Sequence, residues 1–394
     1  MVRTSGSPRK RPTPVTFGFM QYIQTDKELY EIVARLSEAP LLAADTEAAG
    51  YHRYRDRVCL VQLSTRSENF VIDTLAVSTL APIAPLFADP GVEIVFHDAD
   101  YDLRLLNRDF DIQVRGLFDT KIGAQFLGES AIGLGALAEK YLGIRMEKKH
   151  QRADWAQRPL PEDMLAYAAE DTMHLPALRD RLREALVERG RLAWAEEEFR
   201  LMENARWQPA ETDSAFMKVK RARELEPRQL AALREIYDWR ERAADARDVA
   251  AFRILSNEAM LDVARALPRT ADELAKVRGL PQSVAERRGP ELLQAVGRAL
   301  QVAETELPRF PRLPRRPPPD PEFDARMDRL RAARDIVGDE LGLDRGFLMP
   351  RAQLEEVAKH RPRSLADLAE LSDIRKWQVD VLGTKLIEAL EKGR

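Results

Sequence analysis

The chain has 394 residues, too many for one ordinary hydrophobic core, so we expect two or three domains. Hydrophobic residues make up 44% and charged residues 32%, and no apolar run approaches the roughly 20 residues of a membrane span, which excludes a membrane-embedded protein. The net charge of -3 is not the strongly basic total that often marks a nucleic-acid-binding protein, and the single cysteine excludes an intrachain disulfide and a thiol-based zinc cluster.

The first segment, residues 1–16, is predicted to be a short disordered basic arm. It carries Arg3, Arg9, Lys10 and Arg11 among prolines. No continuous apolar segment follows these residues, so a secretory signal is not expected. We therefore predict a cytoplasmic protein that has no membrane partner.

Strands and helices alternate in the next part of the chain. The predicted elements, in chain order, are a helix from Asp26 as its N-cap to about Leu36, strands at 41–46, 58–64, 70–73 and 92–96, and helices near Leu80–Phe87 and Tyr101–Arg108. Two strands follow each other at hairpin spacing, and later strands are separated by helices. This pattern predicts an α/β domain whose mixed sheet is antiparallel at first and then continues through helical crossovers.

The second half of the chain is almost wholly helical and contains an internal repeat. When the sequence is shifted by 94 residues without a gap, Val263 meets Val357 and Gly289 meets Gly383. Prolines between the two copies favour an extended, semi-rigid spacer. The predicted organisation is the basic arm at 1–16, the α/β domain at 17–205, a first helical domain with its connecting segment at 206–303, the spacer at 304–322 and a second helical domain at 323–394.

Two carboxylates lie at the end of the strongest early strand. Asp45 and Glu47 alternate about one threonine, so both side chains point to the same side of an extended backbone. No Lys or Arg occurs between Asp45 and Arg53, and like charges held together are unfavourable unless a cation lies between them. Taken alone, this pair is still most simply a turn residue and a solvated glutamate.

Two further acidic groups occur on predicted helices. Asp102 lies in the first turn of a helix that follows a strand, where Asp98 or Asp100 is a candidate N-cap. Tyr167 and Asp171 are four residues apart and therefore share one helix face. Taken alone, the last pair is more simply interpreted as part of an exposed polar face. Taken together, however, four carboxylates and a tyrosine are the oxygen ligands that suit two hard divalent cations on either side of a scissile phosphate.

These residues resemble the motifs of a known superfamily. Asp45-Thr46-Glu47, Asp102 and Tyr167-x-x-x-Asp171 are similar to the three exonuclease motifs of the tyrosine-bearing branch of the DEDD superfamily. The segment 148–160 is similar to the stretch before the third motif in the ribonuclease D family, and the repeat resembles its tandem HRDC domains. The resemblance covers nearly all of residues 17–394. It implies a ribonuclease H-like exonuclease domain followed by two all-α HRDC-type domains.

The resemblance also implies an activity and a role for each motif residue. The expected enzyme is a 3′-5′ exoribonuclease that releases nucleoside 5′-monophosphates with two Mg²⁺ or Mn²⁺ ions. Asp45, Glu47 and Asp171 would hold one ion, Asp45 would bridge to the second, and Asp102 would reach the second ion directly or through water. Tyr167 would position the attacking water. The implied partner is RNA with a free 3′ end, in particular tRNA precursors and other small structured RNAs, bound by a monomer.

Residues that contact the substrate are less sharply indicated. Lys148, Lys149 and Arg152 form a basic loop that suits backbone phosphates, and an ordinary solvated charge run is an equally good interpretation. Gln62 and His97 are candidates for substrate contact or for support of the site, although a hydrogen-bonded core histidine is the simpler interpretation.

The residues after the first motif depart from the family pattern. Many relatives have a bulky residue directly after it, whereas Glu47 is followed here by Ala48-Ala49-Gly50. A wedge between the terminal bases would then come from another residue, such as Tyr51, His52 or Tyr54.

Three alternatives remain at the level of the sequence. One is a DNA exonuclease of the same superfamily, because carboxylates do not recognise a 2′-hydroxyl. A second is an RNA-binding protein that has lost its chemistry, which the presence of all five motif residues disfavours. A purely structural helical adaptor is the third, and it leaves the first 200 residues unexplained.

Overall fold

The structure, a computed structural model, describes residues 16–17, 20–147, 149–209, 214–311 and 320–392. Except for Thr16, the predicted basic arm lies outside the described residues, and so does Lys148 of the predicted basic loop. The strands are β1 (Thr16–Phe17), β2 (Met20–Ile23), β3 (Leu41–Ala48), β4 (Val58–Ser64), β5 (Asn69–Asp73), β6 (Glu93–Phe96) and β7 (Leu117–Asp119).

The helices fall into three groups along the chain. The α/β domain contains α1 (Asp26–Leu36), α2 (Ala84–Ala88), α3 (Asp100–Phe110), α4 (Thr120–Phe126), α5 (Leu134–Leu142), α6 (Glu162–Met173), α7 (Leu175–Glu188) and α8 (Leu192–Met202). The first repeat contains α9 (Pro227–Asp245), α10 (Ala251–Ile254), α11 (Asn257–Ala266), α12 (Ala271–Ala275) and α13 (Gln282–Gln301). The second repeat contains α14 (Phe323–Leu341), α15 (Arg345–Leu348), α16 (Arg351–His360), α17 (Leu365–Ala369) and α18 (Lys376–Glu391). Short 3-10 helices occupy Ala81–Ile83, Ala215–Lys218, Ala222–Glu224 and Glu304–Glu306.

A single mixed sheet organises the α/β domain. In the described part of the chain its strand order is β1-β2-β5-β4-β3-β6-β7. The pairs β3–β4 and β4–β5 are antiparallel, whereas β6 is parallel to both β3 and β7. This confirms the predicted mixed sheet. The sequence did not reveal β1, β2 and β7, because each has four residues or fewer and carries little periodicity.

Helix α1 begins one residue earlier than predicted. Thr25, and not Asp26, is the N-cap: its hydroxyl accepts the backbone N–H of Glu28, and the Glu28 carboxylate accepts the N–H of Thr25 in return. Asp26 instead accepts hydrogen bonds from the backbone and the hydroxyl of Ser78. Thr25 and Asp26 are adjacent and both are common N-cap residues, so the sequence alone does not distinguish them.

The internal repeat is present in the structure. Helices α10, α11 and α12 begin and end at positions that coincide with those of α15, α16 and α17 after the same shift of 94 residues. Helices α11 and α16 end at the corresponding residues Leu267 and Arg361, and both residues have the left-handed backbone conformation. No helix in the described part of the chain is both long enough and apolar enough to cross a bilayer.

The two repeats are attached to the α/β domain in different ways. The second repeat shares one continuous hydrophobic core with it, and the Trp377 ring packs edge-on against Phe126 at 5.0 Å between centroids. The first repeat has its own core. Part of the predicted spacer belongs to that core, because Leu307 is buried in it and the Phe310 ring packs on it beneath Arg223. The exact domain boundaries remain predictions.

Candidate metal and catalytic site

The sheet is open on one side of β3 along the part that carries the carboxylates of Asp45 and Glu47. The pairing of β3 with β6 ends at Ala43, whereas the pairing with β4 continues to Ala48. From Asp45 onward, β3 therefore has a hydrogen-bonded neighbour on one side only. Its first four residues are buried, and Asp45 and Glu47 are partly exposed. The strand thus carries two acidic side chains from the core into an open cleft.

Helix α6 packs against the sheet and carries the third carboxylate, that of Asp171. The small residues Ala168 and Ala169 are buried against the sheet, which allows a close approach. The hydroxyls of Ser64 and Thr172 are 2.7 Å apart and link β4 to α6. This contact fixes the position of the neighbouring Asp171.

Three predicted ligands converge at this point. One carboxylate oxygen from each of Asp45, Glu47 and Asp171 lies within 4.8 Å of the others. Asp102 lies beside this group and accepts a hydrogen bond of 2.5 Å from the Thr46 hydroxyl. Among the described residues, no Lys, Arg or His forms an ion pair with any of the four. The described part of the chain therefore leaves their charges without a counter-charge.

The protonation equilibria reflect this arrangement. Burial, followed by the charges of the neighbouring carboxylates, raises the pKa of Asp45 and of Glu47 well above the ordinary range. Burial raises the pKa of Asp102 and of Asp171 to about 7. Desolvation and crowding of like charges disfavour the ionised forms. A cation at the centre would reverse both effects, which makes the group a fitting metal site.

A buried acid that the sequence did not single out positions Asp102. The carboxylate of Asp119, at the end of β7, accepts the backbone N–H groups of Asp98 and Ala99 at 3.2 and 2.8 Å. It also caps α4. Its position before Thr120 at the end of a short apolar run was the available signal, but the run has only three residues.

Neither acid that was predicted to cap α3 does so. The N-cap is Ala99, and no side chain caps it. Asp98 forms an ion pair with Lys121, and Asp100 pairs with Arg104 one turn later on the same helix. Competing basic partners, which lie outside the local pattern, explain the difference. Asp102 is nevertheless in the first turn, as predicted.

Tyr167 stands next to the carboxylates on α6. Its ring is stacked on Trp155 at 6.1 Å between centroids and contacts the edge of His150 at 5.7 Å. Burial, together with the charges of Asp171, Glu47 and Asp45, raises the pKa of its hydroxyl. A protonated Tyr167 can donate a hydrogen bond, so it is better suited to positioning a reactant than to acting as a base.

A cavity of about 530 Å³ lies in front of these groups. Asp45, Asp171, Tyr167 and His97 are among the residues that line it. The rest of the lining consists of residues that the sequence did not single out as part of a site: Ala131, Gly133, Leu134, Gly135, Ala136, Met146, Glu147 and Gln151. Most of them surround the start of α5, whose N-cap is Gly133.

His97 and Gln62 have different environments. Burial lowers the pKa of His97 to about 4, so its ring is neutral at physiological pH. One ring nitrogen is 2.9 Å from the Thr120 hydroxyl, and the residue lines the cavity. Gln62 lies opposite Asp45 in the β3–β4 register but is 0% exposed. The predicted contact of Gln62 with substrate is therefore not supported, because the side chain does not reach the cavity.

The predicted basic loop is only partly free to bind phosphate. Lys149 forms an ion pair of 3.1 Å with Asp163. Arg152 is exposed, and within the described ranges it has no carboxylate partner. The two residues thus differ in the charge that they offer to a ligand.

Comparison with known proteins agrees with this geometry. Residues 20–187 match the 3′-5′ exonuclease family, and residues 229–296 and 323–390 each match the HRDC domain. The chain is 34% identical over 375 residues to the ribonuclease D of Gluconacetobacter diazotrophicus, covering 92% of this chain and 95% of that protein. The crystal structure of Escherichia coli RNase D is similar over 95% of this chain and 99% of that one, with 27% identity and a TM-score of 0.70. The catalytic core of RRP6 from Trypanosoma brucei is similar over 74% of this chain and 83% of that core, with 30% identity and a TM-score of 0.62.

Proposed function

This chain belongs to the ribonuclease D family, and we propose that, as a metal-dependent 3′-5′ exoribonuclease, it trims the 3′ ends of tRNA precursors and other small structured RNAs. The similar Escherichia coli protein is described as an exoribonuclease involved in structured RNA processing. The observation that carries the proposal is the convergence of Asp45, Glu47 and Asp171 without a counter-charge in the described residues. We further propose that the enzyme is a monomer in the cytoplasm.

The residues present fit two divalent ions. Asp45, Glu47 and Asp171 would hold one ion, and Asp45 together with Asp102 would hold the second. Carboxylate oxygens without thiols or several imidazoles suit Mg²⁺ or Mn²⁺. When bound, such ions supply positive charge beside the scissile phosphate and favour ionisation of the attacking water.

The protein's own side chains orient the reactants. Tyr167, which stays protonated, would donate a hydrogen bond to the scissile phosphate or to the attacking water and fix its direction. Neutral His97, which also lines the cavity, would offer a hydrogen bond to the 3′-terminal nucleotide. Lys149 and Arg152 would contact backbone phosphates nearer the edge of the cleft. The products would be nucleoside 5′-monophosphates.

The Asp171→Asn substitution tests the metal site. It keeps the shape of the side chain and removes its charge, so activity on 3′-extended tRNA should fall by more than about 100-fold. Mutation of residues that only support metal ligands typically lowers metal affinity or activity by 10- to 100-fold, and loss of a ligand should have a larger effect. Asp328→Asn, at an exposed position on α14, is the matched control and should retain activity. Activity of the wild-type protein should also disappear with a chelator. A fully active Asp171→Asn enzyme would refute the ligand assignment.

The choice of substrate needs a separate comparison. A 3′-extended tRNA, an unstructured RNA with the same 3′ extension and the corresponding DNA should be digested side by side and their ends mapped. We expect mononucleotide steps from the 3′ end and the fastest trimming on the tRNA. Equal rates on tRNA and unstructured RNA would overturn the proposed substrate while leaving the exoribonuclease activity intact.

A further inference from the structure

An exposed aromatic surface lies where the α/β domain meets the first repeat. Tyr51 and Phe252 are 45% and 51% exposed, and their ring centroids are 5.7 Å apart. The guanidinium groups of Arg152 and Arg253 lie over the Tyr51 ring, at 5.7 and 5.4 Å from its centroid. We call these four residues the aromatic platform.

Backbone and polar contacts hold the platform in place. Arg253 donates to the backbone carbonyl of Tyr51 at 3.3 Å, and its guanidinium is 3.1 Å from Nδ1 of His52. The backbone N–H of Ala250 donates to the carbonyl of His52 at 3.0 Å. The residues of the two domains are therefore fixed relative to each other, although both rings remain open to solvent.

The platform is continuous with the catalytic cavity. Tyr51 follows Glu47 by four residues on the chain segment that leaves β3. On the other side, one loop contributes His150 to the Tyr167 ring and Gln151 to the cavity wall, and its next residue is Arg152 of the platform. A chain that leaves the cavity along this loop would pass directly over the platform.

Charge distinguishes the platform from an ordinary domain contact. Within the described ranges, neither Arg152 nor Arg253 forms an ion pair with a carboxylate, whereas the nearby Arg53 and Arg55 pair with Asp154 and Asp245. Exposed rings flanked by uncompensated guanidinium groups are the combination that binds single-stranded nucleic acid, through stacking on bases and attraction of phosphates. A contact that served only to join the domains would bury its rings.

We propose that the aromatic platform stacks on a base of the RNA upstream of the nucleotide being removed, so that the first repeat takes part directly in substrate binding. This inference rests on the proposed exoribonuclease function. It predicts that RNA long enough to extend beyond the cavity binds more tightly than RNA confined to the cavity. The length-dependent gain should depend on the ring of Phe252.

The test compares Phe252→Ala, Phe252→Leu and Phe252→Trp. Binding of a fluorescent single-stranded RNA to the full-length protein is measured by anisotropy in EDTA, and the ratio of kcat/KM for a long RNA to that for a trinucleotide is measured with Mg²⁺. Loss of one stacked base should weaken long-RNA binding by about 5- to 150-fold. Leu should behave like Ala because it has no aromatic face, whereas Trp should restore binding and the ratio. Tyr30→Ala, which removes an exposed ring from α1, is the control and should match the wild type.

The outcomes separate this inference from the proposed function. Wild-type RNA hydrolysis with an unchanged ratio in Phe252→Ala would overturn the platform and leave the exoribonuclease standing. Full binding by Phe252→Leu would mean that the ring only packs against its neighbours, which would also overturn it. Failure of the wild type to digest any RNA would instead reject the proposed function.

In addition, Arg152→Gln should reduce the slope of log Kd against log salt by about 0.7, the contribution of one phosphate contact to a single strand.

Discussion

At the residue scale, Asp102 and Asp171 hold protons at a pH where ordinary carboxylates are ionised. Their pKa values are raised from 3.8 to about 7 by burial. Between about pH 4 and pH 7 the folded, metal-free protein therefore binds more protons than the unfolded chain, and its stability falls as the pH rises through that window. A divalent ion that binds only the folded state would restore this stability.

Asp171→Asn should consequently stabilise the metal-free enzyme in a pH-dependent way. With chelator at pH 8 the variant should melt at least about 2 °C above the wild type, because it removes a buried charge from a crowded group. At pH 4, where Asp171 is already protonated, the two should melt together. Mg²⁺ at pH 8 should raise the Tm of the wild type more than that of the variant. Calorimetric scans would measure both effects, and a variant that is less stable at pH 8 would contradict the electrostatic argument.

Gln62 presents the opposite case, a buried polar group that has no partner among the described residues. Within these residues, neither its amide nitrogen nor its amide oxygen makes a hydrogen bond, although the side chain is fully buried. Such a group lowers stability by its desolvation. Gln62→Met, which has a similar shape and no amide, should therefore raise the free energy of unfolding by about 1 kcal/mol in urea titrations of the metal-free protein. A decrease would show that the amide has hydrogen-bond partners in solution.

At the element scale, the sequence revealed the long apolar strands and the residues at their ends. Strands β3 and β4 begin with buried apolar residues, so their positions and the placement of Asp45 directly after the buried part of β3 were predictable. The convergence of α6 on β3 was not, because it depends on close packing of Ala168 and Ala169 across the sheet. Before the structure did, only the shared ligand chemistry and the family resemblance related Asp171 to Asp45. Asp119 escaped notice because its strand is too short to produce a pattern.

The loop before α6 is held to the sheet by an ion pair whose carboxylate is buried. Arg158 donates to both carboxylate oxygens of Asp73 at 2.7 and 2.6 Å, and the Tyr22 hydroxyl donates to one of them at 2.5 Å. Asp73 is 1% exposed. This contact supports the segment that carries His150, Gln151 and Arg152 to the cavity and the platform.

Removal of one partner should be much worse than removal of both. Arg158→Met leaves the Asp73 charge buried and unpaired, so the free energy of unfolding should fall by about 3 kcal/mol or more. The double variant Arg158→Met with Asp73→Leu replaces the pair by apolar groups and should recover a large part of that loss. Urea denaturation of the single and double variants measures the difference. Equal stability of the two variants would contradict a buried ion pair.

At the scale of the whole molecule, the two repeats have the same fold and different attachments. In the second repeat, Trp377 packs among Phe126, Trp194 and Phe347, and its indole N–H donates to Glu198. The backbone N–H groups of Lys376 and Trp377, at the start of α18, donate to the carboxylate of Glu197 on α8. In the first repeat, by contrast, the hydrophobic core is separate, and the contacts to the α/β domain are polar or part of the platform.

This difference predicts how the molecule unfolds. A shared core makes the α/β domain and the second repeat one cooperative unit, whereas the first repeat should unfold as a unit of its own. Trp377→Ala and Trp239→Ala delete large buried rings from the second and first repeats, and each should destabilise its own unit by about 3–5 kcal/mol.

Hydrogen exchange read out by peptide distinguishes the two units. Trp377→Ala should increase exchange in β3 and β4 as well as in α14 and α18, and it should lower the temperature at which RNA hydrolysis is lost. Trp239→Ala should increase exchange in α9 and α13 and leave β3 and β4 protected, so the carboxylate site stays folded while the platform loses Phe252. Because the two substitutions are the same chemical change at comparably buried sites, the contrast reports the attachment of each repeat. Loss of protection in β3 by Trp239→Ala would show instead that the polar contacts at His52 and Arg55 couple the first repeat to the site as tightly as a shared core does.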